Sequence, residues 1–425
     1  MNNYDLIVIG GGLSGVAASL SAKRAGLKVL LIEKSGALGG AMSNCLVYPF
    51  MRFWTNDKET NEKIFLSGGI FREMLNRQRD IYKILSDSGH TVEWEFSPEH
   101  FKLMLDDMIC QSGVDVLFHA HLCDVTTVNR AIKGVNVIAG SKKLYLEADF
   151  FIDTTGNGDL FCMAGCNYTL GRSKDNLCQP MTTCFRMSGV DIDLYKKEKE
   201  MINKLYKEKQ ASGEITNPRE DILVFQGIGD GILHFNTTRI VKLNPTDPFD
   251  VSKAEFEARK QIYEIVKFLK SVSQAFKNST IISIASDIGI RESRKLCGEH
   301  ILSGEDLINC TKFEDGIALG CYDLDIHNPE GSGTSHHFFA PGEYYSIPYR
   351  SLLPKEYDNL LVAGRCLSAT HEAQAAVRIM PICTCMGEAA GTAVSIAKNT
   401  GTNTHTIDTQ LLRKTLKQNG AILDI

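Results

Sequence analysis

The sequence predicts an α/β fold in which one domain is assembled from both ends of the chain, at 1–185 and 345–425, and carries an inserted α+β unit at 186–344. Three observations lead there. A strand, a glycine turn, a helix and a second strand follow one another within the first 33 residues. Two more apolar strands, each closing in a glycine turn, stand at 148–156 and 359–364. Between them the chain turns charged and helical at 191–209 and 255–277, a change of composition that marks a separate unit.

Composition narrows the function before any motif is read. With 43% hydrophobic and 23% charged residues among 425, the chain has the make-up of an ordinary globular protein. The 46 basic and 51 acidic residues are mixed and leave a net charge of −5, which argues against nucleic acid or an anionic membrane as partner. Thirteen cysteines without a Cys-x-x-Cys pair fit reduced thiols in the cytoplasm and speak against zinc or an iron–sulfur cluster, and no metal site is expected. Asp5 and three consecutive glycines interrupt the apolar opening, so it reads as strand and helix rather than leader, and no apolar run approaches the roughly 20 residues that span a bilayer. The expectation is a soluble, cytoplasmic protein acting on a small molecule.

The opening Tyr-Asp-Leu-Ile-Val-Ile-Gly-Gly-Gly-Leu-Ser-Gly, residues 4 to 15, runs a buried strand into a turn in which Gly10, Gly12 and Gly15 fit G-x-G-x-x-G. A helix is predicted over 14–25 and a second strand from Leu27 to Ile32, ending at Glu33. Gly10 permits the tight turn, Gly12 lets backbone approach a pyrophosphate, and Gly15 lets helix and strand pack closely. Phosphates then rest on the helix amino terminus. Glu33 stands where an acid bonds a ribose hydroxyl and repels a 2′-phosphate, which selects FAD or NAD without choosing between them.

The choice comes from the residues that follow. Lys34-Ser35-Gly36-Ala37-Leu38-Gly39-Gly40-Ala41-Met42-Ser43 forms a second glycine turn, Ala148 to Asp159 closes a strand in Thr154-Thr155-Gly156, and Asn359 to Cys366 closes another in Gly364-Arg365. These three segments, in this order, resemble the FAD contacts of flavoproteins with the glutathione-reductase fold. Adding Gly289 to Arg294, Tyr345 to Leu352, and Gly364 through Arg378 to Gly391, the chain resembles FAD-dependent oxidoreductases related to fumarate reductase and succinate dehydrogenase flavoproteins. The likeness covers about 1–50, 145–185 and 285–400. It implies FAD contacts at Gly10, Gly12, Gly15, Glu33, Lys34, Gly39, Gly40, Ala41, Ser43, Thr155, Gly156, Gly364, Arg365, Met380 and Cys383. No His-Thr segment of the kind that carries covalent flavin is present, so the FAD is expected to be non-covalent. The fumarate reductase active-site pattern is not present as a whole.

Strands are expected at Val114–Phe118, Val125–Val128 and Ile132–Val137, with 57–88 charged and helix-like. In 255–277, Phe256, Ile262, Ile265, Val266 and Leu269 would supply the apolar face of a helix. No second G-x-G-x-x-G follows a strand; Gly227-Ile228-Gly229-Asp230-Gly231 lacks the last glycine. Electrons would therefore pass between FAD and the substrate or a redox partner protein, in a cleft between the two units.

One short stretch, Leu367 to Pro381, places His371, Glu372 and Arg378 among small apolar residues. Pro381 suits the first turn of a helix, predicted over 381–398, whose Gly387, Ala389, Ala390 and Gly391 allow close packing. In flavoproteins of this kind the amino end of that helix points at the flavin, which sets the three ionisable groups beside it. Arg378 and Arg350 would hold a carboxylate or polarise a carbonyl, His371 would exchange a proton, and Tyr349 would line the cleft with Arg350. The plainer alternatives are an Arg378–Glu372 ion pair and a hydrogen-bonded core histidine. Arg291 and Arg294 would line the site or tie the domains together, and His336 and His337, in the loop Gly331 to Phe338, would cover it. The resulting expectation is hydride transfer between flavin N5 and a small anionic or oxygen-rich organic substrate. A dinucleotide-binding regulatory protein without turnover and an NAD-dependent dehydrogenase are the rivals; a bound but inert flavin, or a colourless protein, would favour them.

Overall fold

The computed structural model describes residues 4–85, 95–226 and 229–425, so Gly227 and Ile228 and the last residues of the segment expected at 57–88 lie outside it. A seven-stranded sheet forms the base. Strands Asp115–Leu117, Val29–Ile32, Tyr4–Ile9, the end of Lys142–Asp153 and Leu360–Val362 run parallel, and Ala131–Ala139 and Ala120–Val128 continue from the start of Lys142–Asp153 as antiparallel ribbons. The long strand reads both roles in its sequence: its first half alternates exposed and half-buried residues, and Phe150 to Asp153 are buried on both faces. The strand bounds expected around 115, 125 and 132 are met within a few residues.

The helices Leu13–Arg24 and Met380–Thr400 lie against each other on this sheet. Small residues set that distance. A Cβ at Gly387 would stand 2.0 Å from Ser14 O, and one at Gly391 2.2 Å from Ala18 O, so either side chain would push the two helices apart. No single helix among the described residues is long and apolar enough to cross a membrane; His371–Val377 and Met380–Thr400 reach that length only as a pair bent by 93°.

Residues 185–284 build a four-stranded sheet, ordered Val224–Phe225, Leu233–Phe235, Phe185–Ser188 and Thr280–Ile284. Helices Ile192–Ala211 and Pro248–Val272 cover one face of it, with Phe185, Met187, Leu233, Phe235, Ile262, Ile265 and Leu269 in the intervening core. Three expectations change here. The segment after 56 is not continuous helix: Trp54–Asn56 pairs with Lys63–Phe65 as a hairpin, and helix begins at Gly69. Phe256 is 74% exposed, because Ala254, Ala258 and Gln261 rather than Phe256 supply the buried face. Leu302, Leu307, Ile317 and Leu319, expected within the inserted unit, join the main core with the amino-terminal helix, so the unit with its own core ends before them.

Candidate active site

Four glycine turns meet at the amino end of Leu13–Arg24. Gly10 holds φ +107°, and a Cβ there would lie 2.6 Å from Thr154 O, which brings the Thr154-Thr155-Gly156 turn against it. Gly39 N donates to Gly11 O at 2.8 Å and bridges Gly12, joining the second turn to the first. A Cβ on Gly364 would touch Ser14 Cβ at 3.3 Å, and Gly156 sits beside the Arg365 guanidinium. In the middle of these close approaches Gly12 is different: a Cβ added there would meet nothing within 4 Å. Ser14 Oγ, at the same helix end, is buried without a hydrogen-bond partner.

The side chains around this space are held from behind. Glu33 is 4% exposed and accepts from Gly11 N at 2.5 Å and Ser35 N at 2.8 Å. Asp153 accepts from Thr155 N, Thr155 Oγ1 and Phe161 N and thereby shapes the Thr-Thr-Gly turn, while burial pushes its carboxyl up to about 6. Arg365 donates to Ser293 Oγ at 3.1 Å and Asn157 Oδ1 at 2.7 Å. Ala41 and Ser43 lie on the short helix Ala41–Asn44, with the Ser43 hydroxyl bonded to Leu38 O. Cys383 Sγ lies 3.3 Å from Arg378 O, and burial pushes its thiol up to about 12. Lys34 is exposed directly after Glu33, and Met380 is half-buried as the first residue of the helix Met380–Thr400.

Next to them the structure brings together His371, Arg378, Arg291 and Arg365. Gln374 Nε2 donates to Arg291 O at 2.9 Å and reaches Arg365 O at 3.4 Å. His371, 6% exposed, has Nδ1 2.8 Å from Glu292 Oε2; the other carboxylate oxygen accepts from Lys295 Nζ at 2.6 Å, and Gln179 N also donates to the acid. Burial pushes the Glu292 carboxyl upward, but the His371 hydrogen bond and the Lys295 charge outweigh it and hold it below the ordinary range. A carboxylate only accepts, so Nδ1 carries the hydrogen, and the neutral tautomer this selects has its lone pair on Nε2. Nε2 makes no hydrogen bond among the described residues.

Arg378 Nη2 lies 3.6 Å from Asp325 Oδ2, and its Nε is buried without a partner. Asp325 also accepts from Tyr322 Oη at 3.1 Å and faces His327 Nε2 at 3.2 Å. Arg239 Nη2 is 2.9 Å from His327 Nδ1, so that nitrogen accepts and Nε2–H points at the acid. Burial and the nearby Arg291 charge push His327 down to about 3, and it stays neutral. Arg291 donates to Pro180 O at 2.7 Å and to Thr182; burial and the charges of Arg378 and Arg219 press it down to about 9, which leaves it cationic at neutral pH. Arg294 instead pairs with Asp159 at 3.1 Å.

Two sequence candidates fall elsewhere. Arg350 is exposed and bonded to Asp315 at 3.0 Å, and Tyr349 is buried with its hydroxyl donating to Thr404 O at 2.8 Å. Neither contacts the His371 cluster. Glu372 is exposed and forms no ion pair with Arg378 among the described residues. The loop with His336 is tied down through Arg239, which donates to Gly331 O and Gly333 O, and His336 Nδ1 lies 2.7 Å from Asp323. Sequence reading passed over Asp325, His327 and Arg239. The alternation Asp323-Leu324-Asp325-Ile326-His327, polar at every second position, was the available signal.

The family model for FAD dependent oxidoreductases matches residues 5–416. Digeranylgeranylglycerophospholipid reductase 1 of Methanococcoides burtonii is 25% identical over 195 residues, 45% of this chain and 46% of that protein. Dihydrolipoyl dehydrogenase of Trypanosoma brucei brucei is 49% identical over 43 residues, 10% of this chain and 9% of that protein. The match thus spans less than half the length of these curated relatives. Among solved structures, a geranylgeranyl bacteriochlorophyll reductase-like protein of Thermoplasma acidophilum gives a TM-score of 0.48 at 15% identity, covering 99% of this chain and 85% of that one. The flavin-dependent brominase Bmp2 gives 0.48 at 12% identity, covering 98% and 83%.

Proposed function

Since this chain belongs to the FAD dependent oxidoreductase family, we propose that it exchanges a hydride with a small anionic or oxygen-rich organic substrate in the cleft lined by His371, Arg378 and Arg291. The residues present fit FAD. Gly12 leaves open the space that a Cβ would fill, at a helix end where Ser14 Oγ is buried with no partner, and a pyrophosphate supplies acceptors for such groups. Gly10, Gly12, Gly15, Gly39, Gly40, Thr155, Gly156, Gly364 and Arg365 would hold it non-covalently, with Met380 and Cys383 at the start of the helix behind. When bound, FAD supplies hydride exchange with a substrate carbon.

The chain's own part is binding and proton traffic. Arg378 and Arg291 would grip a carboxylate or polarise a carbonyl, each guanidinium offering a rigid fork of donors. His371 Nε2 would take or return the accompanying proton. Glu292 keeps the tautomer that allows this, and Lys295 compensates the acid's charge in the core. The observation that carries the reading is the buried His371–Glu292–Lys295 chain ending beside the glycine turns. Arg350 and Tyr349 have no role in it. The test is an absorption spectrum of purified protein before and after acid precipitation, followed by anaerobic bleaching with hydroxy acids, unsaturated acids and sugars. Yellow flavin released by acid, and bleached or reoxidised by one substrate class, is the expected result; a colourless protein or an inert flavin would overturn it.

A further inference from the structure

On the four-stranded sheet of residues 185–284, Phe185, Met187, Leu233 and Phe235 point into the helix-covered core. Their alternates point the other way, toward the FAD-binding domain. Arg186 stands in register with His234 on one side and Ser283 on the other, and His234 with Phe225. Tyr48, from the FAD-binding domain, sets its ring 5.3 Å from the His234 ring. The row therefore faces the amino-terminal segment that carries Tyr48.

Arg186 is 5% exposed and His234 fully buried. Arg186 Nε and Nη2 have no hydrogen-bond partner, and neither ring nitrogen of His234 has one. No ion pair to Arg186 exists among the described residues. Glu99 acts on it across space but pairs with Lys102 at 3.0 Å. A buried guanidinium without a counter-ion is strongly unfavourable, and an unbonded buried imidazole beside it adds to the penalty. The region also continues the cation-rich wall: Cys184, on the same face as Arg186, senses the charges of Arg291, Arg186 and Arg219.

We propose that Arg186 and His234 form an oxyanion subsite on the inner face of the inserted unit, binding a carboxylate or phosphate of the substrate remote from the reacting carbon. The proposal rests on the reading that substrate occupies this cleft. It deepens that reading by requiring a substrate with an anionic group distinct from the one gripped at Arg378 and Arg291. A fork of guanidinium donors and one imidazole N–H match an oxyanion, and binding supplies the charge and acceptors that the fold leaves missing.

The test uses the full-length, FAD-loaded protein in thermal unfolding, titrated with inorganic phosphate or with succinate at ionic strength held constant by sodium chloride. Saturable stabilisation of the wild type by phosphate, by succinate or by both is expected, and which anion acts distinguishes the two chemistries. Arg186→Met should raise the half-saturating concentration by about tenfold or more. It should leave the anion-free melting temperature equal to or above that of the wild type, because an unpaired buried charge has been removed. Arg186→Lys should keep partial binding. Wild-type protein that neither anion stabilises, an unchanged half-saturation in Arg186→Met, or a lowered anion-free melting temperature would each overturn the subsite. Turnover does not enter this readout, so its failure leaves flavin bleaching as the separate arbiter of the redox reading.

Discussion

Glu388 offers a stability prediction whose sign and size follow from its surroundings. It lies on the buried helix Met380–Thr400 and is 2% exposed, and among the described residues its carboxylate accepts one hydrogen bond, from Ile70 N at 2.9 Å at the start of the helix Gly69–Leu85. Burial pushes its carboxyl from 4.5 to about 7, against the lowering effect of that bond. The folded state then holds a proton that the unfolded chain has released. Below about pH 4.5 both states are protonated and no penalty exists; as pH rises through the window to about 7 stability is lost, and above it the full cost is present. At about 1.4 kcal/mol per pH unit the cost reaches roughly 3 kcal/mol. Glu388→Gln keeps an acceptor for Ile70 N and cannot ionise. Urea unfolding at pH 5 and pH 8 should show the variant gaining about 2.5 kcal/mol on the wild type between the two conditions. The comparison cancels the parallel contribution of Asp153, which titrates in the same direction near 6. A difference that stays constant with pH would mean that the helix end and the Ile70 N–H keep Glu388 ionised, and the reasoning would fail.

Other outcomes follow from the same geometry. Gly12→Ala should fold with an unchanged cofactor-free melting temperature, since its Cβ meets nothing, and yet lose FAD on gel filtration; retained FAD would remove Gly12 from the cradle. Lys295→Met leaves Glu292 buried without its cation and should cost about 3–5 kcal/mol in urea unfolding, a loss that Lys295→Arg should partly recover. His371→Gln should lower kcat by about a hundredfold or more while FAD content holds, measured once a bleaching substrate is in hand. Arg350→Ala removes the guanidinium from the buried carboxylate of Asp315, which keeps its bond from the backbone N of residue 350; it should cost about 1–3 kcal/mol in urea unfolding and leave turnover of the folded protein unaltered.

The parts of the fold legible in the sequence are those where local stereochemistry decides. Gly10 and Gly15 occupy turn positions between two apolar runs where a side chain would clash, so the opening βαβ unit could be read directly, as could the helix from Met380 and the strands around 115–139 from their own patterns. Phe256 and the hairpin at 54–65 could not, because which face is buried depends on partners distant in sequence. The site divides the same way. His371 and Arg378 stood out as ionisable groups in an apolar stretch, whereas Arg350 and Tyr349, read by the same logic, turned to Asp315 and Thr404 across 35 and 55 residues. Arg186 and His234 had no local mark at all. Their isolation arises only when strands of four and three residues align them and no acid among the described residues pairs with them.

The order in which a ribosome delivers these segments gives the tight seating of Gly387 and Gly391 on Ser14 and Ala18 a consequence for biogenesis. The strand Leu360–Val362 and the helix that completes the packing of the first βαβ unit come more than three hundred residues after it. The cofactor platform is therefore finished only when the helix Met380–Thr400 has been made, and until then an apolar helix and a sheet edge await their partners. Changes in residues 360–400 would be felt first as a lower yield of flavin-loaded protein during synthesis, even where the completed fold binds FAD as tightly as before.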